Sequence, residues 1–182
     1  GVVSFNRRQE SVLVVATHGS TLSMDLNGGY YTSTTPSFSA TDNWGMEFWF
    51  KLDSVAGFQW LVYNGKGDGT PQDGAGLYVS GGSIRALFGY VVDNDTGFTA
   101  TADTWNYIAL VRNGGVNTAY FNNTTAVTLS GSQANNPATE GFAIGTQVYN
   151  PNGLANGNFD EVRTFTFGAG QFNANTDLLI AA

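Results

Sequence analysis

The sequence predicts an all-β fold, a sandwich or a barrel, with helix nearly absent. Three observations carry this. Short runs rich in Val, Ile, Phe, Tyr, Trp and Thr recur along the 182 residues, separated by clusters of Gly, Asn, Asp and Ser. One run, WGMEFWFKL at 44–52, alternates strictly: Met46, Phe48, Phe50 and Leu52 fall on one face and Glu47, Trp49 and Lys51 on the other, so one side meets the core. The 24 glycines suit such a fold, because turns with positive φ accept Gly at no steric cost.

In chain order, SVLVVA at 11–16 is the first predicted strand, followed by 21–26 and 29–33. After 44–52 come 58–63 (FQWLVY), 75–80 (AGLYVS) and 84–92 (IRALFGYVV), each rich in β-branched and aromatic residues. TWNYIALVRNGGVNTAYFNN at 104–123 reads as two antiparallel strands joined at Asn113-Gly114-Gly115, a sequence suited to a tight hairpin. Strands at 139–145 and 158–167 close the pattern, and NANTDLLIAA is read as a short helix after Asn175 or a cover for a sheet edge. Phe48, Phe50, Trp105 and Ile108 are core candidates.

A chain of this length fits one domain, 1–182, that buries roughly 70% of its unfolded surface. No linker or repeat divides it. With 42% hydrophobic and 12% charged residues it is far from the composition of a disordered chain. The charge of -7 and pI near 4.3 leave no basic patch for a phosphate backbone, so nucleic acid is not an expected partner. No run approaches the roughly 18 apolar residues of a membrane helix, and GVVSFNRRQE does not read as a signal-peptide start. The absence of Cys removes disulfides and thiolate chemistry, and the single His18 cannot form a multi-histidine zinc site. Asn94-Asp95-Thr96 and the two overlapping motifs at 122–125 match glycosylation acceptors and mark exposed loops.

Several acids are candidates for chemistry. On an unbroken strand Asp160 and Glu161 point to opposite faces, whereas a glycosidase needs two carboxyls roughly 5 to 10 Å apart in one cleft. Glu161 and Arg163 share a face and are expected to form a structural ion pair. Asp160 beside a Gly/Asn-rich approach is either a turn cap or an oxygen ligand for a hard cation. Asp93 and Asp95 in VVDNDTGF are placed in a turn, with ligand contact as the alternative. NGKGDGTPQDGAG, with Asp68 and Asp73, fails as a calcium loop and as a phosphate loop and is expected to be a flexible rim loop.

Sugar recognition calls for aromatic faces with planar polar groups beside them. Trp60, Tyr90, Tyr149, Asn150 and Asn152 meet that description at strand ends and in polar loops, with Asp93 and Asp95 as further contacts.

The segments LSMDLNGGYYTS, WGMEFWFKL, LVYNGKGDGTPQDGAGLYVSGGSIRALFG, DTWNYIALVRNGGVNTAYFNNTTA and GNFDEVRTFTFGAGQFNANTDLL occur in an order that resembles the concanavalin A-like lectin/glucanase superfamily. The resemblance is to its laminin G-like jelly-roll modules, over about residues 20–180. The strongest match is Asp160 to Phe165, similar to the closing strand Asp-Glu-Val-Arg followed by aromatics and a short helical tail. The resemblance implies a jelly-roll β-sandwich of two antiparallel sheets. It also implies a structural calcium at Asp160, with Gly28 and Asn43 as carbonyl donors. The catalytic signature of the glucanase branch, Glu-x-Asp-x-x-Glu or Glu-x-Asp-x-Glu, occurs nowhere in the chain.

The expectation is therefore a non-catalytic, extracellular or surface-exposed module binding carbohydrate or a glycoprotein surface. The alternative is an adhesion or assembly module of a larger surface protein or viral particle, contacting other protein subunits. For that alternative the apolar ends 1–16 and 172–182 are the candidate contacts. A hydrolase or lyase with degenerate residues is the third reading.

Overall fold

A computed structural model describes residues 22–89, 91–122, 125–129 and 137–180. The strand expected at 11–16, the apolar segment 1–16, His18, Tyr90, and Asn123 and Thr124 of the glycosylation motifs lie outside the described residues.

Two antiparallel sheets of six strands each face one another as a jelly-roll sandwich. The strands in chain order are β1 (Met24–Asp25), β2 (Tyr31–Thr32), β3 (Asn43–Leu52), β4 (Phe58–Asn64), β5 (Ala75–Ser80) and β6 (Ser83–Phe88). They continue as β7 (Val92–Thr99), β8 (Asn106–Asn113), β9 (Val116–Phe121), β10 (Thr125–Thr128), β11 (Phe142–Ile144) and β12 (Gly157–Phe167). The first sheet has the order β1-β12-β3-β8-β9-β10 and the second β2-β11-β4-β5-β6-β7. Alternation fills the space between them: Met46, Phe48 and Phe50 of β3 meet Leu61, Val62, Leu77 and Ile84 of the second sheet in one apolar cluster. The expected hairpin at 113–115 joins β8 to β9 with Asn113 opposite Val116.

Asp93 and Asp95 belong to β7, not to a turn. VDNDTGFT has the composition of a loop, but β6 supplies a pairing edge, and tertiary pairing overrides the local preference.

The closing strand departs from simple alternation. Its pairing with β3 shifts between Asp160 and Arg163, so one extra residue is inserted there as a β-bulge. Glu161 takes a left-handed φ of 50°, and Asp160 Oδ1 accepts the Glu161 amide at 2.7 Å. Phe159 and Val162 consequently both face the core, while Arg163 and Phe165 turn outward. The Arg163 ion pair is accordingly made with Glu47 of β3, in place of the expected pairing with Glu161.

Glu47 is fully buried. The outer face of β3 lies beneath the C-terminal tail. Asn173 caps a single helical turn, α1 (Ala174–Asp177), by accepting the Asn175 amide, so the helix begins before Asn175. Leu178 and Ile180 then pack on Trp49, Tyr107, Ala109 and Val111. Phe165 lies across Gly45, where an added Cβ would stand 2.2 Å from the ring. Among the described residues no helix is long and apolar enough to cross a membrane.

Candidate functional site

The outer face of the second sheet carries a different aromatic surface. Phe58 and Trp60 sit two residues apart on β4 and so share a face; a bulge between Trp60 and Val62 then sends Leu61 and Val62 inward and Tyr63 outward. Tyr78 of β5 and Leu87 of β6 complete the floor. Phe58 meets Trp60 edge-on at 4.9 Å between centroids, and Trp60 meets Tyr63 at 5.1 Å and Tyr78 at 5.5 Å. The floor and its rim enclose an open cleft of about 480 Å³, inside the range of small-ligand sites.

One rim is built from two loops that share a carboxylate. The glycine-rich loop is pinned rather than flexible: buried Asp73 accepts the Lys66 amide at 2.7 Å and the Thr139 hydroxyl, and its own amide returns to the Lys66 carbonyl at 2.9 Å. Gly67 runs under Trp60, where an added Cβ would be 2.7 Å from the indole. Asp68 then projects toward the 147–153 loop. Its Oδ2 accepts from Asn152 Nδ2 at 2.7 Å and Asn150 Nδ2 at 3.3 Å, and its Oδ1 from the Gly69 amide at 2.7 Å. Asn152 Oδ1 in turn accepts the Trp60 indole N–H at 3.0 Å. The Asn152 hydrogen bond, followed by the Gly69 amide, holds the Asp68 carboxyl below the usual carboxylate range. Buried Gln147 braces the second loop by accepting the Tyr149 amide and donating to the Asn150 carbonyl. Tyr149 projects from it, 56% exposed, with Lys66 Nζ 5.0 Å from its ring centre.

The other rim is charged. Tyr78 donates its hydroxyl to Asp93 Oδ2 at 2.7 Å. Burial, reinforced by that bond, pushes the Tyr78 phenol up to about 12, so it remains a donor at neutral pH. Arg85 Nε donates to Tyr78 Oη at 2.9 Å and Asp93 Oδ1 at 3.2 Å, and its Nη1 reaches Asp95 Oδ2 at 3.4 Å. Asp95 also accepts the Gly97 amide and the Ser83 hydroxyl, and the Gly97 amide foremost holds its carboxyl below the usual carboxylate range.

Of the sugar-site residues expected from sequence, Trp60, Asp93, Asp95, Tyr149, Asn150 and Asn152 all lie on this face or its two rims. Trp60 is only 3% exposed, however, and serves as floor; the rings open to solvent are Phe58, 42% exposed, and Tyr149. Phe58, Tyr78 and Arg85 were not singled out by sequence. The available signal was alternation, which places Phe58 beside Trp60.

The expected calcium ligands do not converge. Asn43 pairs with Phe167 and Asp160 with Trp49, which separates them by six residues of β3, roughly 20 Å. Met24 pairs with Phe159, and from there the chain runs toward Gly157 and away from Asp160 before it reaches Gly28. Gly28 and Asn43 thus lie on opposite sides of Asp160. The Asn43 side-chain oxygen is engaged by the Gly114 amide at 2.9 Å. Among the described residues no three acidic or His side chains gather as a metal cluster. This set of three does not fit a single cation.

A laminin G family model of the concanavalin A-like lectin/glucanases superfamily matches residues 25–167. A search of curated proteins gave no match. Among solved structures, domain 4 of a GH43 extracellular arabinanase from Geobacillus stearothermophilus, in complex with arabinotriose, is 18% identical. It aligns over 79% of this chain and 70% of its own, with a TM-score of 0.58. Domains LG4-5 of the mouse laminin alpha1 chain are 12% identical over 80% of this chain and 41% of theirs, TM-score 0.59. A Trypanosoma rangeli sialidase in complex with sialic acid is 16% identical over 79% of this chain and 24% of its own, TM-score 0.54. The chain therefore spans less than half of the laminin and sialidase chains. At these identities the likeness is one of fold.

Proposed function

The chain belongs to the concanavalin A-like lectin/glucanases superfamily, and from that premise we propose that it is an extracellular recognition module, without catalysis of its own, binding carbohydrate or a glycosylated surface. The site is the outer face of the β4–β7 sheet. The observation that carries the reading is the cleft: exposed Phe58 offers a ring face for sugar C–H groups and Asp68 and Asn152 line it as hydroxyl partners, while Asn150 and exposed Tyr149 stand beside it on the adjoining loop. The bound arabinotriose of the arabinanase domain supports the same class of ligand.

Two features favour binding over turnover. Asp68, held below the usual carboxylate range, is a poor general acid at neutral pH. Asp93 and Asp95 are committed to Arg85.

The test is a glycan array, run with calcium and with chelator, on the wild-type chain and on Phe58→Ala and Tyr149→Ala. Binding to one glycan class is expected, with each variant weakened about tenfold, or about 1.4 kcal/mol, and with an unchanged melt. The pair of arms also reads whether calcium contributes. No binding in either arm would return the chain to the assembly reading, for which exposed Leu22, Tyr30 and Tyr31 offer an apolar contact.

A further inference from the structure

Within the proposed sugar site, on which this inference rests, the rim has a definite charge logic. Recognition of an acidic sugar needs a guanidinium free to receive a carboxylate or sulfate through parallel N–H bonds. Arg85 is the one arginine at the described rim, and the protein already fills that role for it. Its Nε binds Asp93 Oδ1 and Tyr78 Oη, its Nη1 binds Asp95 Oδ2, and its Nη2 donates to the Asp93 carbonyl at 3.4 Å. Each guanidinium nitrogen is thus engaged from within the sheet.

The arrangement follows from strand register. Arg85 stands opposite Asp95 and two positions from Leu87, which stands opposite Asp93, so the two carboxylates flank the guanidinium on one face. Across the cleft Asp68 adds a third carboxylate, and Lys66 is drawn over the Tyr149 ring. Three carboxylates face two cations around the cleft, in a chain whose net charge is -7.

We propose that Asp93 and Asp95 are specificity-determining residues that occupy Arg85, so that the cleft accepts neutral, hydroxyl-rich glycans and rejects those bearing carboxylate or sulfate. An incoming carboxylate would have to displace one of them and would meet the other at close range, where like charges are costly. A neutral sugar meets no such repulsion, and the outward lone pairs of the same carboxylates accept its hydroxyls.

The test uses probes that differ in charge: lactose against 3′-sialyllactose, and methyl-esterified against de-esterified homogalacturonan. The wild-type chain is expected to retain the neutral member of a bound pair at least about tenfold more strongly, and Asp93→Asn/Asp95→Asn to narrow that ratio about tenfold. The single change Asp95→Asn, at an exposed side chain that leaves the Asp93–Tyr78 bond in place, guards against loss of fold and is expected to narrow it in part. Equal or stronger retention of the acidic members by wild type, or a ratio that both variants leave unchanged, would overturn this inference while leaving the sugar site standing. Retention of no probe, together with a blank glycan array, would instead overturn the sugar site and this inference with it.

Discussion

Asp68 orders two loops at once, which gives the site a dependence on pH of known sign. Its folded-state pKa lies below that of the unfolded chain, so its contribution is fully present above the unfolded value and is lost as pH falls through the folded value. Glycan affinity is expected to stay flat from neutral pH down through the ordinary carboxylate range and to fall only below it, as Asp68 protonates and releases Asn152. Asp68→Asn is expected to bind more weakly throughout and to lose that acid limb. Affinity titrated against pH on both proteins decides it; an acid limb that persists in the variant would contradict the assignment. This residue was not legible in the sequence, because its partners lie 82 and 84 positions away and no local motif links them. Tyr149, Asn150 and Asn152 drew notice in the sequence as an aromatic beside planar amides in a polar loop, but their bonds to Asp68 and Trp60 did not.

At the scale of elements, the C-terminal tail is a strap and Glu47 its anchor. The buried carboxylate receives Arg163, the Tyr107 hydroxyl at 2.5 Å and the Leu179 amide at 2.7 Å, and Arg163 donates onward to the Asp177 carbonyl. Burial of Leu178 and Ile180 adds about 1.5–3 kcal/mol each. Ending the chain after Gly170 is expected to cost at least about 3 kcal/mol in urea denaturation. Sugar binding on the opposite sheet should survive in the folded fraction. Unchanged stability would show that the tail is not a strap.

Alternation made β3 legible and β-branched and aromatic content made β4 and β5 so, but the bulges in β4 and β12 were not. An extra residue leaves no mark in the hydrophobic pattern of so apolar a run, yet it decides that Val162 faces in and Arg163 out. The buried Glu47 was hidden for a related reason: its cover comes from more than 130 residues downstream.

For the molecule as a whole, the sandwich treats its two outer faces differently. Both are aromatic. The tail covers one with Leu178 and Ile180, while the other carries a cleft between polar rims beside which the Phe58 and Tyr149 rings meet solvent. That asymmetry is the physical basis for placing recognition on the β4–β7 sheet and stability on the β3–β8 sheet. The family was legible in the order of the segments and the Asp-Glu-Val-Arg strand. The position of the site was not, because it depends on which face the tail leaves uncovered.

The most direct measurement is a proton–nitrogen NMR titration with arabinotriose or the strongest glycan from the array. The Trp60 indole N–H and the Asn150 and Asn152 side-chain amides are expected to shift together, while the Tyr107 and Leu179 amides under the tail stay still. Shifts confined to the tail or to the edge at β1 and β2, with the Trp60 indole unmoved, would contradict this placement of the site.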